Sequence, residues 1–288
     1  MVGAALAMAL GACGLNAEGT LNTNNADDAG SNTEPTDAAD VTSPGDDTDA
    51  SDASDAADTP DANPYNTRVT DGLVALYDFE EGAESAETTV HDREDQPIDL
   101  TIADTSKVTW LDHALRIDDF TIIQSNGTAD KIVTTCQGSN EVSVEAWVAP
   151  AMKIDPLGYG RIVNMSKSNS TATSDWNFTL GTTSVAWLWG LNAGELPIQG
   201  TVTTNLTHLV ATRTSDGMSQ FYVNASVAGV PNYGVAGLSG WKKYPLAIGN
   251  APGGGGRGWQ GEIHLIAIYC RALSQDEIDQ NFAAGADP

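Results

Sequence analysis

Glu141 and Glu145 stand four residues apart around a segment, Val142–Val148, in which apolar and polar side chains alternate. A period of two puts residues 141, 143 and 145 on one face of a strand and Val142, Val144 and Ala146 on the other. Two carboxylates on one face are the minimal equipment for glycoside hydrolysis, one as acid and one as nucleophile or base. Their backbone positions lie roughly 13 Å apart at about 3.3 Å per residue. The carboxyl groups of a retaining pair sit about 5 Å apart, and those of an inverting pair about 6.5–9.5 Å. Catalysis therefore needs both side chains to lean together; the plainer reading is polar side chains on a sheet face.

Aromatic residues offer a different chemistry. Trp187 and Trp189 are two apart and share a strand face, and Trp176 falls on the preceding strand, which is expected to pair with theirs. Such a set can stack on sugar rings. It can equally fill a core, because Val185, Ala186 and Leu188 make the segment apolar on both faces. The run Gly253–Gly256 before Arg257 lacks the Gly-Lys-Ser/Thr ending of a phosphate loop and reads as a surface connection. His91, His113, His208 and His264 are scattered, with no metal-ligand spacing.

Charge divides the chain. It has 39 acidic and 13 basic residues and a net charge of −26. Residues 14–67 hold 13 Asp or Glu and no Lys or Arg, with Ala, Thr, Ser, Asn, Gly and Pro making up most of the rest. Such a stretch has little to bury, so it is expected to be a disordered, self-repelling tether. No basic stripe exists to neutralise phosphates, which argues against nucleic acid, and against an anionic membrane surface for the globular part.

Ahead of that stretch, Val2–Leu10 is apolar or small and leads into Leu10-Gly11-Ala12-Cys13-Gly14. This looks like a bacterial lipobox, too short to span a membrane. The resemblance implies removal of the leader, a lipid on Cys13 and, with Gly14 rather than Asp next, the outer membrane. The expected divisions are a signal peptide over 1–13, a tether over 14–67 and a folded domain over 68–288. Cys136 and Cys270 are then a plausible disulfide in an exported domain. Cys136 precedes the Val142–Val148 strand and Cys270 ends the last long strand, so antiparallel pairing of the two strands brings the thiols together. Two small buried hydrophobes are the alternative.

From Arg68 onward, short apolar or alternating runs are separated by Gly, Asn, Asp and Ser clusters. One segment reads as a helix, where Ser274 and Glu277 form a capping box ahead of Ile278 and Phe282. Many strands and one short C-terminal helix predict an all-β, antiparallel two-sheet sandwich.

The ordered pieces sharpen this. Gly72-Leu73-Val74-Ala75-Leu76-Tyr77-Asp78-Phe79-Glu80-Glu81-Gly82, Val90-His91-Asp92, Ala114-Leu115-Arg116-Ile117-Asp118, Val142–Val148, His208–Thr212, Tyr222–Ala225, Pro245–Gly249 and Arg271–Ser274 follow one another. The series resembles the laminin-G-like, concanavalin A-like jelly rolls over residues 71–284. That family commonly holds calcium, and the matching positions are Glu80, Glu81 and Asp92. Where it usually has Ile-Asp-Glu-Val, this chain has Ile263-His264-Leu265-Ile266. Family 16 glycoside hydrolases share the sandwich and carry Glu-x-Asp-x-Glu on one strand; here Ser143 stands at the central position. The resemblance implies a non-catalytic module that binds carbohydrate or an extracellular protein. A glycoside hydrolase and a structural or adhesion component of the envelope are the alternatives.

Overall fold

The computed structural model describes residues 67–82, 86–154, 159–167, 175–192, 194–198, 201–253 and 256–286. The lipobox with Cys13 and the acidic stretch up to residue 66 lie outside the described residues.

Among the described residues, sixteen strands form two antiparallel sheets. The front sheet contains β1 (Leu73–Tyr77), β4 (Val108–Leu111), β5 (Ala114–Ile117), β7 (Val142–Ile154), β12 (Thr207–Arg213), β13 (Ser219–Val223), β14 (Ser226–Asn232) and β16 (Trp259–Tyr269). The back sheet contains β2 (Thr89–Val90), β3 (Leu100–Ile102), β6 (Ile123–Ser125), β8 (Tyr159–Ser166), β9 (Trp176–Thr183), β10 (Trp187–Leu191), β11 (Gly194–Ile198) and β15 (Leu246–Ile248). The front order is β14-β13-β12-β7-β16-β5-β4, with β1 also on β16, and the back order is β11-β10-β9-β8-β15-β6-β3-β2.

Alternation places the core as expected. Val142, Val144, Ala146 and Val148 of β7 lie between the sheets with Leu209, Ala211, Ile266 and Ile268, facing Val163, Met165, Phe178 and Leu180 of the back sheet. The opposite face of β7 is also covered. Trp147, Val210, Leu265, Ala267 and Tyr269 form a second apolar cluster with Val69, Leu273 and Ile278. Its cover includes the helix α2 (Gln275–Ala284) and the entry segment around Val69. This is why every residue of β12 is buried.

The capping box of α2 forms: Ser274 Oγ accepts from the Glu277 N–H, and the Glu277 carboxylate accepts from the Ser274 N–H at 2.8 Å. A second helix, α1 (Asp130–Ser139), joins the expected C-terminal one. It turns only Ile132, Val133 and Cys136 inward and ends on Asn140 in the left-handed conformation. Cys136 therefore sits on a helix, not in a strand approach, and its disulfide to Cys270 ties α1 to the end of β16.

Candidate functional site

Glu141 and Glu145 do different work. The Glu141 carboxylate accepts the backbone N–H groups of Ser215 and Ala272, each at 3.1 Å. Glu145 has no exposed surface. It is ion-paired with Arg68 and accepts from His208 Nε2 at 3.0 Å, Asn281 Nδ2 at 2.7 Å and the Tyr269 hydroxyl at 3.3 Å. Burial alone raises its pKa, but the Arg68 charge and the His208 bond outweigh that and hold it at about 2. A carboxylate fixed in its ionised form beneath a helix has no proton to donate near neutral pH. The two share no bonding partner, and the predicted polar sheet face is the seat of α2.

Asp92 is likewise engaged. Its oxygens accept from the N–H groups of Leu76, Glu94 and Ile98 at 3.0, 3.1 and 2.9 Å, and from Lys131 Nζ at 3.2 Å. Glu80 pairs with His113, and Glu81 Oε1 accepts the His91 N–H at 3.0 Å. Calcium needs six to eight oxygen ligands. Among the described residues no group of three or more His, Cys, Asp or Glu converges on a metal position. The Asp92 oxygens already hold hydrogen-bond donors, one of them a cation, so this donor set does not fit calcium.

The three tryptophans divide between two faces of the back sheet. β9 and β10 pair, as expected. Trp187 and Trp189 point into the core. Trp176 lies on the other face, its ring over Gly190; a Cβ there would fall 2.4 Å from the ring. All three are buried.

Trp189 also lines a cavity of about 230 Å³ where the sheets part at their edge, with Leu191, Asn192, Ser219, Asn232, Val235 and Ala236. Its indole Nε1–H donates to Ser219 Oγ at 3.0 Å, and Ser219 Oγ–H donates to the Thr212 carbonyl at 2.9 Å. The Asn192 amide donates to the Ala236 carbonyl at 2.7 Å, which leaves its oxygen as an acceptor. Arg213, 2% exposed, secures the same wall by donating to the carbonyls of Ala236, Val235 and Thr214 and to that of Asn140. The cavity is thus held open by bonds among its own supports. Its lining is uncharged, with apolar walls and carboxamides. Tyr233, 72% exposed, and Val230, 89% exposed, flank the Asn232 rim in sequence.

Of these lining residues, sequence reading singled out only Trp189. The others come from β10, β13, β14 and the segment after it, and only sheet-on-sheet packing assembles them. The one local signal is the asparagine content of the turns.

Comparison with known proteins agrees with this architecture. A family model, Laminin_G_3 of the concanavalin A-like lectin/glucanases superfamily, matches residues 124–279. No curated protein matches the sequence. Among solved structures, a Trypanosoma rangeli sialidase in complex with sialic acid aligns at 17% identity and a TM-score of 0.56, over 76% of this chain and 34% of that one. A receptor binding domain aligns at 13% identity and a TM-score of 0.52, over 76% of this chain and 52% of that one. The chain thus spans about a third of the sialidase and half of the receptor-binding structure, and what it shares with them is the sandwich. With more than half of its residues inside the family match and both sheets in place, the chain belongs to the Laminin_G_3 family of the concanavalin A-like lectin/glucanases superfamily.

Proposed function

We propose that this chain is a non-catalytic binding module that recognises a glycan outside the cell. The edge cavity carries the reading. It joins an apolar wall (Trp189, Leu191, Val235) to uncharged hydrogen-bonding groups (Asn192, Asn232, Ser219), a combination that suits a sugar ring with its apolar face and hydroxyl rim. Its volume of about 230 Å³ is below the roughly 300–1,000 Å³ of sites for drug-sized ligands. It therefore suits a single ring at a chain end. Glu145, fully buried with its oxygens held by Arg68, His208 and Asn281, weighs against hydrolysis on the same strand.

Delivery to the outside rests on the Cys13 lipobox and the acidic stretch over residues 14–67. A lipid on Cys13 would fix the chain to the bacterial outer membrane. A flexible tether of that length has a root-mean-square span of roughly 40 Å. A second reading, an extracellular protein partner, is favoured by the edge strand β14, where Val227 is 56% and Val230 89% exposed.

A glycan array probed with the wild-type chain and with Tyr233→Ala tests the reading. Binding of a defined set of glycans is expected, weakened by the substitution, which removes the exposed ring next in sequence to Asn232 of the cavity lining. No glycan bound above background by the folded wild type would sink the carbohydrate reading and leave the protein partner.

A further inference from the structure

Arg257 is a buried arginine, 8% exposed, whose Nε has no acceptor among the described residues. Its guanidinium forms no hydrogen bond or ion pair among the described residues; its recorded contact is with the Tyr159 ring, 4.9 Å from centroid to Cζ. Other arginines of the domain have a carboxylate or carbonyl partner, including Arg68, whose Nε is also unpartnered but whose Nη1 pairs with Glu145. Arg93 has Asp78, Arg271 has Glu277, and the more deeply buried Arg213 has its carbonyls. A guanidinium nitrogen taken out of water costs free energy unless something supplies the missing acceptor. In a chain with 39 acids, a carboxylate partner is the arrangement to expect, and Arg257 has none among the described residues.

The surroundings hold this arginine in place. The Arg257 carbonyl accepts the Arg161 N–H at 3.0 Å, which fixes its backbone to β8. The next residue, Gly258, lies under the Phe120 ring, 2.2 Å from where a Cβ would fall. Gly160 packs in the same way against Trp259. Tyr159 and Arg161 are two apart on β8, so the ring and the second arginine leave the back sheet on one face. That face is the one turned away from the core, since Arg161 is paired with Gly181 and Leu188 lies beyond it. The guanidinium lies over an aromatic ring, its backbone is pinned and its donor fork lacks an acceptor among the described residues, so it is pre-organised for a bidentate oxyanion.

We propose that Arg257, over the Tyr159 ring, is a binding site for an oxyanion, a single carboxylate or sulfate group on a glycan. The site is separate from the edge cavity, whose lining is uncharged. It gives the module a way to tell acidic from neutral chains.

The full ¹⁵N-labelled chain is titrated with sodium glucuronate, with sodium sulfate and, as the uncharged control, with glucose, while the Arg257 Nε–Hε resonance and the amides of Gly256 and Gly258 are followed. Saturable shifts with glucuronate or sulfate, and none with glucose, are expected. A response to glucuronate alone identifies a carboxylate site, and a response to sulfate alone a sulfate site. Arg257→Gln should weaken the response by roughly ten- to a hundredfold, the range for a hydrogen bond to a charged group. Arg257→Lys, which keeps the charge without the fork, should fall between. The proposal is overturned if neither anion shifts the Arg257 resonance saturably, or if folded Arg257→Gln responds as the wild type does. Should that variant fail to fold, the wild-type titration decides alone. A chain that binds neutral glycans on an array but shows no anion response at Arg257 loses this site and keeps the edge cavity.

Discussion

Glu145 draws in four side chains from distant parts of the chain: Arg68 at the domain entry, His208 on β12, Tyr269 on β16 and Asn281 on α2. Asn281 also accepts the Val69 N–H at 2.8 Å, and Arg68 donates to the Gly285 carbonyl, so one carboxylate holds the entry segment and the last helix together. His208 meets Glu145 through Nε2, so that nitrogen is the donor to the carboxylate. Removing one partner of such a buried pair leaves the other uncompensated, which costs about 3–5 kcal/mol. Glu145→Gln keeps the shape and strands Arg68, whose side chain is 6% exposed. The acid response follows from the same contact. Its folded pKa, about 2, lies below the ordinary 4.5, so the stability it supplies is fully present above about pH 4.5 and is lost as pH falls toward 2. That displacement is worth on the order of 3 kcal/mol at neutral pH. Urea denaturation at pH 7 and pH 3 should show the wild type losing stability toward acid, and Glu145→Gln starting lower with a flatter acid limb. Equal pH slopes in the two proteins would remove Glu145 from this role.

At the scale of elements, the disulfide decides the fate of α1. That helix buries three side chains, and its N-cap, Ala129, offers no side-chain bond, so little but tertiary contact sustains it. Cys136 and Cys270 are 134 residues apart. Closing a loop of that length is worth about 5 kcal/mol in the chain-entropy description. The double variant Cys136→Ala/Cys270→Ala should therefore lower the urea midpoint. In hydrogen exchange, the amides of α1 should lose protection before those of β7 and β16; retained protection in α1 would contradict this. The same helix marks a limit of sequence reading. Strands β1, β7 and β16 announce themselves by alternation or by long apolar runs, and α2 by its Ser274–Glu277 box. Helix α1 contains Thr134-Thr135, β-branched residues that disfavour helix, and it is held by Cys270, far along the chain. Local pattern carries no trace of that partner. Glu145 is similar: alternation assigned its face correctly, but the cover over that face comes from residues near both ends of the domain.

Across the whole molecule, assembly separates what local chemistry had grouped. Glu141 and Glu145, paired by spacing, hold unrelated partners, and Trp176 is divided from Trp187 and Trp189 by the thickness of a sheet. The edge cavity gathers Trp189, Ser219, Asn232 and Val235 from segments with no common motif, so it was legible only through Trp189. Charge is the property that the sequence states for the molecule as a whole. The domain from Arg68 carries all 13 bases, and residues 14–67 carry acids alone. A stretch of one sign repels itself and extends, which suits a spacer between an anchor and a binding domain. The anchor is then the property to test. Cys13→Ser removes the thiol that a lipid requires and leaves the domain, with its Cys136–Cys270 disulfide, unchanged. On expression in a Gram-negative bacterium, the wild type should partition with the outer membrane and label with radioactive palmitate. Cys13→Ser should do neither, yet still bind whatever the wild type binds on the array. A wild type recovered unlabelled in the soluble fraction would disprove the anchor, and the acidic stretch would then need a different explanation.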